Sequence, residues 1–506
     1  MTVAISHTLD VVRKTVNDST CRKERSKIGQ FLTPAGIARF MAALFEREVE
    51  HVRILDAGAG AGALSAACVE ALVSKKRKPL SIKAVAYESD ERILQYLKKT
   101  IEQCKSACKA AGIPFQGEIR TEDYVAAAIA QTEQGLFAAK GERFTHAILN
   151  PPYKKITEET TTRHLLNSAG IEVSNLYAAF VWLSARILEP NGELVAITPR
   201  SFCNGPYFRR FRIAFLDMMS LRRIHVFESR KKAFGDDDVL QENVIYHAVR
   251  SGRKPERLVI SVSEGADFDR ASSRAVPYKH VVLPGDSDAF IYLVLNDDDD
   301  RIMEQMKVFT SSLDKLGLEV STGRVVDFRA EEHLRFNPED GTAPLIYPCN
   351  LKDGFVSWPM GSGKKPNSIV VSPQTKDLMV EAGYYVLMKR FSSKEERRRV
   401  VAVIYDPHRF DAPLVGFENH LNYFHAKGKG LSSSLAKGLA LYLNSSLFDK
   451  YFRLFSGHTQ VNATDIRKMR YPSHEQLLRL SAHLKHRMPN QETVDSILEE
   501  EYISYA

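Results

Sequence analysis

The stretch Thr145-His146-Ala147-Ile148-Leu149-Asn150-Pro151-Pro152-Tyr153 governs how the rest of the chain is read. Its first five residues form an apolar run of the kind that makes a buried strand. The two prolines then end any ladder, because neither has a backbone donor and each fixes its own φ. The result is a stiff loop at the carboxyl end of a strand, the place where open α/β sheets bind ligands. From it project a carboxamide (Asn150), a carbonyl (Pro151) and an aromatic ring (Tyr153), with Pro152 between the last two. A carboxamide oxygen and a carbonyl together can accept both hydrogens of an exocyclic amine, and a ring beside them can stack on a flat heterocycle. Such a corner suits an amino group carried by a planar ring.

Working outward, the first half alternates strand-like and helix-like segments, the pattern of a doubly wound α/β sheet. Strands are expected at Val52–Ala57, Ile82–Glu88, Gly117–Thr121, Thr145–Leu149, Glu193–Thr198, Leu221–Phe227 and Asn243–Val249. Helices are expected at Ala35–Arg47, Ala61–Val73, Glu91–Cys108 and Asn175–Leu188. After Ser251 the regularity fades, and short strand-like runs mix with helices near Leu431–Leu443 and Glu475–His486. The acidic run Asn296-Asp297-Asp298-Asp299-Asp300 reads as a solvated loop or linker. Two domains are expected, 1–265 and 266–506, the second of mixed α+β type.

The 506 residues are 44% hydrophobic and 26% charged, enough material for more than one core. The net charge of +8, with clusters such as Arg222-Arg223 and Arg397-Arg398-Arg399, suits a polyanionic partner without requiring one. Met1–Lys27 has no apolar central run, so no signal peptide is expected. The longest apolar stretch, Tyr177–Leu188, is interrupted by Arg186 and too short to span a bilayer. The six cysteines form no CxxC pair; Cys104 and Cys108 lie one helical turn apart with no second pair to complete a tetrahedral site, so no metal is expected. These features read as a reduced, cytoplasmic protein.

A cofactor site is legible upstream of the Asn-Pro-Pro-Tyr loop. Asp56-Ala57-Gly58-Ala59-Gly60-Ala61-Gly62 follows the first strand and opens a helix, with Gly58 and Gly60 allowing a sharp turn and close approach to a ligand. Glu88, at the end of the second strand, can accept from both hydroxyls of a ribose. The turn lacks GxGxxG spacing, and Asp123 after the third strand can accept from an adenine amine. Both details favour S-adenosylmethionine over a dinucleotide. An Asp after a strand is also an ordinary helix cap. Before the first strand, Thr33 as N-cap with Pro34 at the first helical position makes good capping chemistry. The same helix start can hold the carboxylate of a methionine moiety.

Together, and in this order, Thr33-Pro34, the glycine turn, Glu88, Asp123 and Asn150–Tyr153 resemble the γ-class DNA adenine-N6 methyltransferases of bacterial type II restriction-modification systems, of the TaqI-like and Eco57I-like type. The resemblance implies a Rossmann-like methyltransferase sheet followed by a target-recognition domain, S-adenosylmethionine as cofactor, and double-stranded DNA as substrate. It implies that adenine is flipped into the site, that Asn150 and Pro151 hold its amine, and that Tyr153 and Phe234 stack on its faces. Phe234, followed by Val239–Ile245, is similar to the family's late motif. In the second half, Lys389–Ser392, Asn419–Asn422 and Ser456–Asn462 are similar to target-recognition segments. These nominate Arg390, Arg397, Asn419, His420, His458, Gln460 and Asn462 for DNA contact, since Arg, Asn and Gln read base edges bidentately. Phosphate contacts, turns or solvated surface account for most such residues, and Asn462 also reads as a helix start.

The length and C-terminal segments are similar to the branch that protects CTGCAG. The family resemblance implies a separate partner endonuclease. Monomer and dimer both stay open, and a monomer acting on one strand at a time is the expectation. The alternative is methylation of RNA adenine or of a protein glutamine amide, chemistry the same corner also serves. Enzymes of the latter kind are short and carry no large basic C-terminal half.

Overall fold

The computed structural model describes residues 32–133, 141–227, 242–361, 364–392, 396–456 and 460–503. Phe234 and His458 lie outside the described residues. The chain divides into two compact units, Met1–Leu295 and Asn296–Ala506.

The first unit is built on nine strands: β1 (His51–Ala57), β2 (Ser81–Tyr87), β3 (Phe115–Arg120), β4 (Phe144–Leu149), β5 (Leu188–Pro199), β6 (Met219–Phe227), β7 (Asn243–Arg250), β8 (Arg257–Ser263) and β9 (Ser272–Pro277). They form one sheet in the order β3-β2-β1-β4-β5-β7-β6-β8-β9. β1 pairs in parallel with both β2 and β4, and β7 runs antiparallel between β5 and β6. This is a Rossmann-like α/β sheet. Parallel strands covered on both faces must be apolar throughout, and β4 is buried at every position. The helices Ala35–Ala43, Ala63–Val73 and Glu91–Ala110 pack over β1 and β2 through Ile37, Met41, Leu64, Val69, Ile93 and Cys104. The chain leaves β1 for β2 on one side and returns to β4 on the other. The crevice at this reversal opens at the carboxyl ends of β1 and β4.

Two expectations are corrected. Contacts divide the chain at Leu295/Asn296, not at 265/266, because β9 pairs with β8 from Arg257↔Pro277 to Val262↔Ser272. Further along, the Arg212 guanidinium, 1% exposed, donates to the Asp288 carbonyl at 3.0 Å and lies 4.7 Å from the Phe290 ring centroid. The acidic run is likewise no loop. Asn296 caps the helix Asp297–Gln305 in a capping box with Asp299, and four aspartates in the first turn face the positive end of the helix dipole.

The second unit holds a six-stranded and a five-stranded sheet whose neighbours come from distant parts of the chain. Glu319–Thr322 pairs with Leu421–His425, which pairs with Tyr385–Lys389. Tyr385, Tyr405, Phe417 and Tyr423 pack into its core. The helices Ser433–Leu443 and Ser446–Phe455 are each capped by a preceding serine.

Candidate functional site

At the carboxyl edge of the first unit's sheet lies a cavity of about 270 Å³. Its walls include Thr33, Gly58, Gly60, Glu88, Asp123 and Asn150, which the sequence singles out, together with Pro152. The glycine turn forms the floor. Gly58 and Gly60 have φ of 79° and 55°, where a side chain is strained, and a Cβ on Gly60 would come within 2.8 Å of Leu32.

Glu88 ties this turn to the next one. One carboxylate oxygen accepts from Gly60 N at 2.8 Å and the other from Asp90 N at 2.8 Å. Burial pushes its carboxyl above the usual range, opposed by these two backbone donors. A carboxylate has more acceptor sites than these donors fill, which leaves capacity for a ligand hydroxyl. Asp123 serves two ends: its Oδ1 accepts from Ala126 N at 2.9 Å at the start of the helix Tyr124–Glu133, and the residue lines the cavity.

Asp56 has a different place from the one expected. It is fully buried, and its Oδ2 accepts from Ser65 N at 3.0 Å and Ser65 Oγ at 2.7 Å, so it secures the start of the helix Ala63–Val73 behind the glycine turn. Burial pushes its carboxyl up to about 7. Pro34 also stands behind the wall, where it holds the N-cap position of Ala35–Ala43 and its carbonyl accepts from Ala38 N. Thr33 is therefore not the N-cap. Its Oγ1 instead accepts from Asn150 Nδ2 at 2.9 Å.

That hydrogen bond orients the corner. With Nδ2 engaged by Thr33, the carboxamide oxygen of Asn150 accepts from the Tyr153 hydroxyl at 3.1 Å. Tyr153 also lies 3.3 Å from the Ile197 carbonyl at the end of β5. Burial pushes the Tyr153 phenol above its usual range, which keeps it a donor. Its ring meets Tyr177 edge-on at 6.2 Å.

Sequence reasoning missed the aromatic part of the cavity. Tyr87, Tyr124 and Phe180 line it, with Tyr124 centred 5.0 Å from Tyr87 and 4.8 Å from Phe180. Tyr87 and Tyr124 adjoin the acidic residues already singled out, and Leu176 and Phe180 share a helix face at i,i+4 spacing, so a signal was present.

In the second unit, three of the nominated segments meet. Arg390 N donates to the His420 carbonyl at 2.8 Å, Val461 N donates to the Arg390 carbonyl at 2.7 Å, and Phe391 bridges Gln460. The Arg390 guanidinium donates to the Asn419 carbonyl at 3.3 Å and lies beside the Phe391 ring. His420 is exposed, with Nδ1 against the buried Glu418 carboxylate at 2.5 Å. Arg397 is exposed nearby in sequence. The neighbouring arginines turn inward instead. Arg399 is 2% exposed and donates to the Ser456 carbonyl at 2.8 Å, and Arg398 donates to Gln491 Oε1 at 2.5 Å. Asn422 is buried on the Val461 carbonyl. Asn462 opens the helix Ala463–Arg467 and donates to Asp465 Oδ2 at 3.2 Å.

Comparison with known proteins matches residues 65–234 to the Eco57I restriction-modification methylase family. The type II methyltransferase M.PstI of Providencia stuartii is 44% identical over 475 residues, covering 94% of this chain and 93% of its own. M.BsuBI of Bacillus subtilis, also a type II methyltransferase, is 43% identical over 501 residues, 98% of each chain. M.AccI of Acinetobacter calcoaceticus is 24% identical over 233 residues, 44% of this chain and 38% of its own.

Proposed function

The chain belongs to the type II methyltransferases, and from that premise we propose that it methylates N6 of an adenine flipped out of duplex DNA, with S-adenosylmethionine as donor. It is a site-specific DNA methyltransferase that protects DNA from a restriction endonuclease. The observation that carries the adenine reading is the Asn150 carboxamide, held by Thr33 and Tyr153 at the edge of the cavity.

The cavity fits the donor in its chemistry. Glu88 offers acceptors for ribose hydroxyls, Asp123 an acceptor for the adenine amine, and Tyr87, Tyr124 and Phe180 apolar faces for the ring, while the glycine turn admits close approach. Bound there, S-adenosylmethionine supplies an electrophilic methyl group on a sulfonium.

The chain's own residues address the acceptor. An adenine amine is a poor nucleophile because its lone pair is delocalised into the ring. Asn150 Oδ1 and the Pro151 carbonyl accept hydrogen bonds from the two amine hydrogens. That favours a pyramidal nitrogen with its lone pair free. Tyr153 stacks on the base, with Phe234 on its other face. Extrusion is required because the duplex buries the amine. In the second unit, Arg390, Asn419, His420 and Gln460 form the surface that reads the sequence, together with His458, and CTGCAG is the target we assign. Arg397 contacts phosphate. A separate endonuclease cutting the same sequence is the functional partner. The enzyme works in the bacterial cytoplasm as a monomer, one strand at a time.

Long-read detection of N6-methyladenine in DNA from cells expressing the chain tests this reading, with Asn150→Ala as control. One short motif methylated by the wild type alone is expected. Folded protein that binds S-adenosylmethionine yet leaves DNA unmethylated would overturn it and direct attention to RNA and protein amides.

A further inference from the structure

Tyr207 is 80% exposed, yet the turn that carries it is closely constrained. It is the middle residue of the 3-10 turn Pro206–Phe208, in the loop that follows β5. Gly205 before it donates to the Ser201 carbonyl at 2.8 Å and accepts from the buried Arg212 at 2.7 Å and from Phe208 N at 3.1 Å. A Cβ at Gly205 would lie 2.6 Å from the Ser201 carbonyl oxygen, so this turn needs glycine. Phe208 is buried and stacks on Tyr177 at 5.4 Å and 27°, while the Tyr177 hydroxyl lies 3.1 Å from Ser201 Oγ. Tyr177 is also the ring that Tyr153 meets edge-on. Packing thus runs from the Asn-Pro-Pro-Tyr corner through Tyr177 and Phe208 to the turn that presents Tyr207.

Folding alone does not account for this arrangement. A rigid turn stabilises a fold by burying what it carries, and here the carried ring faces water. Arg209 and Arg210 follow directly, in the first turn of the helix Arg209–Met218, where cations oppose the helix dipole. They pair with Asp288 and Glu172 and remain substantially exposed, so phosphates can compete for them. An exposed, preorganised ring flanked by cations, beside a corner that takes one base, matches a duplex opened at one step. Aromatic rings hold such openings by stacking on the flanking bases.

We propose that Tyr207 enters the duplex at the position vacated by the flipped adenine and holds the gap open. The inference rests on the base-flipping reading above. Duplexes with 2-aminopurine at the target position report extrusion as a rise in fluorescence, alongside methyl transfer to the matching adenine duplex. No rise with wild type would overturn the flipping reading and this inference with it. Given the wild-type rise, Tyr207→Ala should lose most of it and raise KM for duplex by about tenfold or more, while Tyr207→Trp retains both. S-adenosylmethionine affinity should be unchanged in both variants, which also reports that they fold. With an abasic site opposite the target, extrusion is cheap, and Tyr207→Ala should come within about threefold of wild type. An alanine variant that flips paired duplex normally, or stays as defective on the abasic duplex, would refute the assignment while leaving base flipping intact.

Discussion

The two units assemble their polar surfaces by different routes. In Met1–Leu295, Gly58, Glu88 and Asn150 each follow directly on the carboxyl end of a parallel strand and Asp123 stands three residues past the end of β3, so one crevice collects them. In Asn296–Ala506, Arg390, His420 and Gln460 meet because segments thirty or more residues apart in sequence hydrogen-bond side by side. Strand-end geometry places a residue whatever its type. Interleaved sheets place it by register, and a shift of one residue turns a side chain from surface to core. Loops between these strands sort their residues by distant partners in the same way: Arg397 is exposed, while Arg399, 2% exposed, is drawn inward by the Ser456 carbonyl.

The sharpest break in this comparison comes from the charged groups each unit buries. Asp56, the penultimate residue of β1, has its carboxyl pushed up to about 7, against 3.8 for the free side chain. The folded state therefore holds this proton more tightly than the unfolded chain does. Its contribution is fully present below about pH 4 and is lost as pH rises towards 7, a change of up to about 4 kcal/mol. Asp56→Asn keeps an acceptor for Ser65 and removes the titration, so its stability relative to wild type should climb across that window in urea unfolding. Parallel curves would show that Asp56 keeps its proton, or loses it, in both states alike. In the second unit, Arg399→Ala leaves the Ser456 carbonyl without its donor and should destabilise by about 3 kcal/mol. Arg397→Ala should cost no more than about 0.5 kcal/mol.

Seven strands of the first unit's sheet, the helices at Ala35, Ala63, Glu91 and Leu176, and the strand-end residues are readable because period and punctuation carry them: apolar runs, a glycine turn, a Pro-Pro stop. β8 and β9 are not, since the alternation fades after Ser251. The acidic run was misread because charge density signals solvent, whereas Asn296 with Asp299 three residues on also spells a capping box. Thr33 had the composition of an N-cap but not the job, since a partner 117 residues away claims its hydroxyl. Asp56 looked like a ligand residue because it precedes the glycines, and only burial assigns it to Ser65. Which arginines of the second unit face outward depended on pairings between distant segments, which no local pattern encodes.

The Thr33 hydroxyl offers a middle-sized test within the first unit. Thr33→Val keeps its shape and removes the acceptor for Asn150 Nδ2. The carboxamide should then lose its fixed orientation, and kcat should fall about thirtyfold, near 2 kcal/mol, with KM for S-adenosylmethionine changed less than about twofold. Thr33→Ser should restore kcat. A raised KM with kcat held would instead assign the hydroxyl to the methionine carboxylate, the role its place at a helix start suggests.

The smallest effects separate two kinds of cation in the second unit. Arg390 is anchored by the Asn419 carbonyl, beside Phe391 and two segments from elsewhere in the chain, so its fork is presented in a fixed direction. A fixed fork can discriminate bases, and Arg390→Ala should cost about 1–2 kcal/mol on the cognate site and less on sites altered at the base it reads. Arg397 is exposed, and among the described residues no hydrogen bond or ion pair holds its fork. Arg397→Ala should weaken binding about threefold on every sequence and reduce the slope of log affinity against log salt by about one. Measured across a panel of single-base variants at several salt concentrations, the two substitutions should therefore separate cleanly: Arg390 by sequence, Arg397 by salt. A uniform, salt-dependent loss for Arg390 as well would mean that the meeting of the three segments builds a phosphate clamp, and that the bases are read elsewhere in the unit.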